Sequence, residues 1–350
     1  MNRKIETSPA ATACRQGSRS FGLILAAAFL SAAVAAQQPA APAPPPAGQA
    51  AQPATAPQNA PQPAEPQADA NVPVIPLNVN EVNLIFTVTD RHGHYIPNLQ
   101  QNDFALLDDQ KAPARVHSFH QQINLPLRVG ILIDTSTSIR SRFTFEQEAA
   151  DEFLLGVLKA RSDRAFVMGF DVAPDVTQDW TNNIDGLETG VNRLRPGGGT
   201  ALFDAVYVAC RDKLLDVSRG QEPVRKAIVL LSDGEDIVSH VYLDEAIKEC
   251  QRAETIIYSI STNWTPSRGK GDQVLTKMAQ ETGGTVFFPP SVEEMSTSFH
   301  NIQEELRSQY ALTYTPADFK TDGSFRTIYL YCLDRGYTVR ARKGYFAPRQ

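Results

Sequence analysis

The chain has 350 residues, of which 42% are hydrophobic and 21% are charged. This length and this apolar content allow more than one hydrophobic core, so we expect two domains. The formal net charge is −6 at pH 7, and the sequence has no basic stripe with interleaved aromatic residues. Because nucleic-acid binders carry such a stripe, we do not expect nucleic acid as a partner.

Residues 1–36 have the pattern of a secretory signal peptide. Basic residues between Arg3 and Arg19 precede an apolar run from Phe21 to Val34, and small residues follow it. A helix that spans a membrane needs about 20 apolar residues, so we favour a cleaved peptide over a permanent anchor. We expect an exported protein that is periplasmic, secreted or at the cell surface. It would contact a membrane only if this segment remained as an uncleaved anchor.

Residues 37–76 consist almost entirely of Ala, Pro and Gln. This composition cannot bury a core and predicts a disordered linker, partly in the polyproline II conformation. Fully stretched, it would reach on the order of 100 Å. It would act either as a stalk that holds the folded part off a wall or membrane, or as a linker of no required length.

Residues 77–124 and 309–350 have the pattern of short β-strands separated by turns. The predicted strands are Val82 to Thr89, Phe104 to Leu107, Arg115 to Phe119, Tyr310 to Tyr314, Phe325 to Leu333 and Tyr337 to Arg342. Three short strands make a poor domain alone. We therefore predict one small β-sandwich built from both flanks, with residues 125–308 inserted between them.

Residues 125–308 alternate strands and helices. Val129 to Ile133 is typical of a strand buried on both faces, and Phe143 to Lys159 predicts an amphipathic helix with Phe145 and Phe153 on its apolar face. Further strands are predicted at Ala165 to Phe170, Ala227 to Leu231, Thr255 to Ile260 and Thr285 to Phe288, and further helices at Ala201 to Leu215, Leu243 to Ala253, Asp272 to Glu281 and Val292 to Ser308. The alternation indicates an α/β fold with a doubly wound, mostly parallel, Rossmann-like sheet.

A D-x-S-x-S pattern, Asp134 to Ser138, directly follows the first central strand. Ligands of open α/β sheets bind at the carboxyl ends of strands, where alternate oxygen-bearing side chains can turn toward one point. A glycine-rich loop ending in Thr200 comes later, and Asp233 ends another strand. Ser, Thr and Asp also cap helix N-termini, but a capping role does not account for Asp233.

These three elements resemble, in order and context, the metal-ion-dependent adhesion site of von Willebrand factor type A domains. The resemblance implies that one metal ion is bound by Asp134, Ser136, Ser138, Thr200 and Asp233. The whole arrangement, including the ending Arg340 to Phe346, is similar to a group of exported bacterial proteins called A-domain-related. The alternative is an intact fold whose site no longer holds metal.

A set of oxygen ligands selects a hard cation, so we expect Mg²⁺, with Mn²⁺ or Ca²⁺ as alternatives. Two carboxylates and three hydroxyls neutralise it weakly, and water must complete its shell. In the family, an acidic side chain of a partner replaces one water. The resemblance therefore implies a binding or adhesion module, not an enzyme, that captures a protein ligand presenting an acidic residue.

Two other functions remain open. The domain could be a structural scaffold in an envelope complex, with the metal used only for stability. A metal-dependent hydrolase is less favoured, because the sequence offers no obvious general base. The sequence indicates neither the identity of the partner nor an oligomeric state.

Cys210 and Cys250 could form a disulfide in an oxidising compartment if their helices lie on the same face of the sheet. We expect buried free thiols instead, as the more ordinary outcome, and no partner for Cys332. The histidine pairs His92/His94 and His117/His120 are expected to be exposed residues and not zinc ligands.

Overall fold

The computed structural model describes residues 80–349 except 92, 124, 160, 218–223 and 264–268. These residues belong to one compact unit, Asp69–Gln350. The predicted signal peptide, residues 1–36, and the predicted linker, residues 37–76, lie outside the described residues. None of the helices in the described ranges combines the length and the apolar character that a membrane crossing requires.

Strands and helices alternate in the middle of the chain, and strands alone occupy its flanks. The strands are β1 (Val82–Thr89), β2 (Phe104–Asp108), β3 (Arg115–Ile123), β4 (Leu127–Asp134), β5 (Arg164–Phe170), β6 (Pro174–Thr181), β7 (Arg225–Ser232), β8 (Ile256–Ser261), β9 (Val286–Phe287), β10 (Ser308–Thr315), β11 (Phe325–Cys332), β12 (Thr338–Ala341) and β13 (Gly344–Phe346). The helices are α1 (Phe143–Val157), α2 (Ile184–Arg193), α3 (Leu202–Val208), α4 (Leu243–Arg252), α5 (Lys270–Thr282) and α6 (Val292–Arg307).

The central sheet has six strands in the order β6-β5-β4-β7-β8-β9. All its strand pairs are parallel except the pair of β5 with the edge strand β6. Helices α1, α2 and α6 contribute to the core on one face, and α3, α4 and α5 to the core on the other. Helices on both faces explain why every residue of β7 is buried. The prediction of a doubly wound, mostly parallel α/β sheet is confirmed.

The two flanks of the chain form two antiparallel sheets, β12-β1-β10-β3 and β13-β11-β2. Each sheet contains strands from both flanks. The faces that these strands bury share a third core, in which Phe86 of β1 stacks on Tyr310 of β10 with ring centroids 5.6 Å apart. The predicted β-sandwich, built from both flanks around an inserted α/β domain, is therefore confirmed.

A buried ion pair crosses the sandwich core. The guanidinium of Arg326 donates two hydrogen bonds to Asp108 Oδ1, at 2.6 and 2.8 Å. The hydroxyls of Tyr314 and Tyr345 donate to Asp108 Oδ2 at 2.8 and 2.9 Å. One carboxylate from the N-terminal flank thus accepts hydrogen bonds from three strands of the C-terminal flank.

Several elements differ from the sequence-based expectation. The edge strand β6, the helix α2 and the short strand β13 were not predicted. Strand β6 has no fully buried residue, so it lacks the apolar alternation that marks a strand. The helix predicted from Ala201 to Leu215 is α-helical only to Val208 and continues as a π-helical turn, Ala209–Leu214.

Cys210 and Cys250 form a disulfide, so the expectation of free thiols was wrong. Cys210 lies in the π-helical turn and Cys250 in α4. Both are fully buried in the core on the same face of the central sheet, with Cα atoms 4.9 Å apart, which is within the range that a disulfide requires. Cys332 is a free, partly exposed thiol.

Candidate metal centre

The two aspartates of the predicted site lie at the carboxyl edge of the central sheet. Asp134 is the last residue of β4, and Asp233 follows the last residue of the neighbouring strand β7. The two strands pair in parallel, with Ile133 opposite Leu231. Both carboxylates are buried. The register of two adjacent strands therefore brings together residues that are far apart in the sequence.

The hydroxyls of Ser136 and Ser138 and the backbone amide of Ser136 connect these two carboxylates. The Ser138 hydroxyl donates to Asp233 Oδ2 at 2.7 Å, and the Ser136 and Ser138 hydroxyl oxygens are 2.9 Å apart. The Ser136 amide donates to Asp134 Oδ1 at 2.8 Å, and the Ser232 hydroxyl donates to Asp134 Oδ2 at 2.7 Å. Four of the five predicted ligands thus form one cluster of oxygen atoms, which Ser232 extends.

The serines of this cluster do not serve as helix caps. Ser136 precedes the short 3₁₀ turn Thr137–Ile139, but its side chain makes no capping hydrogen bond. Its hydroxyl is directed to Ser138 instead. The alternative in which these residues only cap a helix does not describe this geometry.

Thr200, the fifth predicted ligand, lies in a loop packed against the D-x-S-x-S segment. The Thr137 hydroxyl donates to the Gly198 carbonyl at 3.0 Å. The buried Thr200 accepts hydrogen bonds on its carbonyl from the amides of Ile237 and Val238, at 2.9 and 3.2 Å. Within the described residues, its hydroxyl makes no hydrogen bond with the other four.

The turn after Asp233 requires glycine. Gly234 has φ = 80°, and a Cβ there would lie 2.2 Å from the carbonyl oxygen of Gly271. A Cβ on Gly271 would in turn lie 2.1 Å from the Asp233 carbonyl oxygen. The Asn263 side-chain amide donates to the same carbonyl at 2.8 Å. These contacts fix the backbone that presents the Asp233 carboxylate.

The environment of the site disfavours negative charge. Burial raises the pKa of Asp134 to about 6, and the charge of Asp233 acts in the same direction, whereas hydrogen bonds from Ser136 and Ser232 lower this pKa. Among the described residues, no Lys, Arg or His forms an ion pair with either aspartate. A bound cation would provide the missing compensation.

Glu146, on the first turn of α1, is a further acidic residue near the site that sequence reasoning missed. Its side chain is fully buried, and neither carboxylate oxygen has a hydrogen-bond partner. Burial, and after it the charge of Asp134, raises the pKa of Glu146 to about 8. The charge of Arg142 lowers this pKa, and the charge of Asp233 raises it. The available signal was its place in the helix: an acid four residues before the buried Ala150, on the apolar face. Phe145, which we had assigned to that face, is instead exposed.

The chemistry of this donor set fits a divalent cation. The described residues contain no group of three or more His, Cys, Asp and Glu side chains placed to bind a metal directly. A cation at this edge would therefore depend on two carboxylates and neighbouring hydroxyls, which are the hard oxygen ligands that Mg²⁺, Mn²⁺ and Ca²⁺ accept. Asp134, Ser136, Ser138 and Asp233 are already together, and the Thr200 loop lies beside them.

The family model for the von Willebrand factor type A domain matches residues 129–305, and the chain belongs to this family. Among curated proteins, the UPF0353 protein of Mycolicibacterium gilvum (strain PYR-GCK) is 24% identical over an alignment of 210 positions, which covers 51% of this chain and 60% of that protein. The chain therefore spans less than two thirds of that relative's length.

Solved structures of similar fold have low sequence identity to this chain. A von Willebrand factor type A protein from Catenulispora acidiphila is 16% identical, with a TM-score of 0.44 over 72% of this chain and 76% of that one. The conserved hypothetical protein BatB from Bacteroides thetaiotaomicron is 15% identical, with a TM-score of 0.42 over 51% and 98%. Proximal thread matrix protein 1 of the mussel byssus, whose adhesion-site motif holds zinc, is 14% identical, with a TM-score of 0.45 over 57% and 50%.

Proposed function

We propose that this protein captures a protein ligand through a divalent cation, most favourably Mg²⁺, held by Asp134, Ser136, Ser138, Thr200 and Asp233. The observation that carries this proposal is the oxygen cluster itself. Two buried carboxylates at the edge of a parallel sheet are joined through serine hydroxyls and have no basic partner among the described residues. Such an arrangement is costly without a cation.

The side chains of this edge would hold and orient the cation. When bound, the cation supplies a positive centre that accepts one more oxygen ligand. Asp134 and Asp233 contribute negative charge, while Ser136 and Ser138 contribute neutral oxygens. Two carboxylates leave the charge of the cation exposed to a further acid, so a carboxylate of the partner is the expected ligand.

An exposed apolar rim lies beside the Thr200 loop and favours a protein as the ligand. Val172, Ile237 and Val238 are 56, 68 and 38% exposed. A Cβ on Gly199 would lie within 3.7 Å of both Val172 and Val238, which places these side chains around the loop. Exposed apolar side chains next to a polar centre are typical of protein interfaces. We infer that the partner presents apolar side chains next to its acidic residue.

Export of the protein is part of this proposal. The disulfide between Cys210 and Cys250 is typical of proteins in an oxidising compartment, and it agrees with the signal-peptide pattern of residues 1–36. A periplasmic, secreted or cell-surface location would also place the metal edge within reach of envelope proteins.

The proposal can be tested by affinity capture from envelope extract with the full chain, in Mg²⁺ and in chelator. We expect a set of proteins that elutes on chelation and is absent with Asp134→Ala. Asp185→Ala, an exposed aspartate on α2, is the control and should capture the same set. If Asp134→Ala folds and still captures this set, the proposal is wrong. If capture is independent of metal and Mg²⁺ only raises the melting temperature, a scaffold role replaces it.

A further inference from the structure

Helix α1 runs antiparallel to β4, starting from the sheet edge where Asp134 and Asp233 lie. The carboxylate of Asp163 shows this, because it accepts hydrogen bonds from the amide of Leu127, at the start of β4, and from the amide of Lys159, just after α1, at 2.9 and 3.1 Å. The carboxyl end of α1 therefore lies at the start of β4. Its first turn must lie at the other end of that strand, where Asp134 is.

Glu146 occupies this first turn and faces the sheet. The buried residues of α1 follow helical spacing and are Phe143, Glu146, Ala149, Ala150, Phe153, Leu154 and Val157. Glu146 is the one charged residue among them. The others pack in the core that also contains Val129, Ile131 and Ile133 of β4.

No hydrogen bond or ion pair within the described residues accounts for an acid at Glu146. Neither carboxylate oxygen has a hydrogen-bond partner, and no ion pair within the described residues includes this side chain. An apolar residue would avoid the cost of burying this group. The charges of Asp134 and Asp233 disfavour the ionised form of Glu146, and the charge of Arg142 favours it, so all three side chains are near enough to act on this carboxylate. A cation held there would compensate all three acids.

We propose that Glu146 is a positioning residue of the metal centre: it accepts hydrogen bonds from water in the coordination shell of the cation and supplies a third negative charge that strengthens cation binding. This inference rests on the proposed metal centre. Contact through water follows from the absence of a three-acid group placed for direct ligation among the described residues. Residues that support a metal's own ligands in this way typically contribute 10- to 100-fold to affinity.

The test is isothermal titration calorimetry of the full chain with Mn²⁺ and with Mg²⁺, which measures the affinity for each cation. We expect Glu146→Gln, which keeps the shape of the side chain and removes its charge, to weaken binding by about 10- to 100-fold. Glu148→Gln makes the same chemical change at an exposed position on the same helix and should bind as the parent does. Asp134→Ala, which removes one of the proposed ligands, should abolish binding.

A second measurement separates this role from a purely structural one. In chelator, Glu146→Gln should melt at a higher temperature than the parent, because it no longer buries an unpaired acid. The rise in melting temperature on adding Mg²⁺ should nevertheless be smaller in the variant. Glu146→Met is the second variant, since an apolar chain of similar length suits the core, and it should behave in the same way.

The possible results distinguish the two proposals. If Glu146→Gln and Glu146→Met bind Mn²⁺ as tightly as the parent while Asp134→Ala does not bind, the inference about Glu146 is wrong and the metal centre stands. If the parent itself binds neither cation, the metal centre fails and the inference fails with it. A higher melting temperature with an unchanged response to Mg²⁺ would also overturn the role of Glu146.

Discussion

Asp134 and Glu146 are acids that the fold keeps out of water, and in both cases burial is the main cause of a raised pKa. Their ordinary values are 3.8 and 4.5, and the folded protein raises them to about 6 and about 8. The metal-free protein therefore holds protons that its unfolded chain has already released. Its stability must depend on pH because of this difference.

In chelator, we expect the free energy of unfolding to fall as the pH rises from about 4 to 9. A raised carboxyl pKa contributes stability that is fully present below the unfolded value and is lost as the pH passes through the folded value. Urea unfolding at a series of pH values measures this. Asp151 also has a raised pKa, about 6, and changes the stability in the same direction. The difference between the parent and Glu146→Gln therefore gives the contribution of Glu146 alone.

The variant Glu146→Gln should lose the share of this decrease that Glu146 causes, which runs from about pH 4.5 to about pH 8. Saturating Mg²⁺ should reduce or reverse the dependence in the parent, because the cation favours the ionised acids. A parent stability that stays constant or rises across this range in chelator would contradict the pKa values on which the prediction depends.

The π-helical turn after α3 contains a cysteine that is bonded to α4. Cys210 is the second residue of this turn, Ala209–Leu214, and its Cα atom lies 4.9 Å from that of Cys250. The resulting bond connects two neighbouring helices across 40 residues of sequence. The closed segment includes β7 and the turn at Asp233, so this crosslink constrains one side of the sheet edge where Asp134 and Asp233 lie.

We expect the double variant Cys210→Ala/Cys250→Ala to lose about 4 kcal/mol of unfolding free energy, as chain entropy predicts for a closed loop of this length. Urea unfolding with and without a reductant is the measurement. The parent should lose a similar amount on reduction, whereas the double variant should not respond. Cys332→Ala is the control and should keep the full response to reductant. Equal midpoints of the parent in both conditions would rule out a stabilising disulfide.

The sequence predicted elements well where apolar periodicity is strong. Strand β1 has the predicted bounds Val82–Thr89, and the order of strands and helices around Asp134 is also correct. The sequence did not predict β6 and α2, which occupy residues 174–193. Strand β6 is a half-exposed edge strand, and α2 contains two glycines, Gly186 and Gly190. Propensity is a weak guide in such segments.

The candidate site could be predicted only in part. The alternation of Asp134, Ser136 and Ser138 along a strand end is visible in the sequence. The hydrogen bond of Ser232 to Asp134, the burial of Glu146 and the pairing of Cys210 with Cys250 depend on strand register, helix direction and helix packing. None of these has a sequence pattern of its own, so they require the three-dimensional structure.

The folded flanks depend on contacts between distant parts of the chain. Asp108 comes from the first flank, whereas Arg326, Tyr314 and Tyr345 come from the second. Asp108 and Arg326 are both buried, so each compensates the charge of the other in a place that water does not reach. The sandwich can therefore form only after residues 309–350 are available.

We expect Asp108→Asn to destabilise the protein by about 3 kcal/mol or more, because it removes the buried counter-charge of Arg326 and leaves only the partly exposed Asp109, 3.5 Å away. Thermal and urea unfolding measure the loss. Asp318→Asn is the matched control: its partner Lys111 is exposed at 3.5 Å, and its removal should cost less than about 1 kcal/mol. Equal losses of unfolding free energy in the two variants would show that the buried pair stabilises the protein no more than the exposed pair does.

The inserted domain leaves and re-enters the sandwich at neighbouring positions. The chain leaves at the end of β3 and returns at the start of β10, and Ile123 is paired with Ser308. Strand β4 begins four residues after this exit and ends at Asp134, so the metal edge lies at the far end of the sheet. If a bound partner were pulled, the force would pass to the sandwich through two neighbouring connections, the segment after β3 and the segment before β10. Both anchoring strands would be drawn in one direction, so the pull would not peel them from each other.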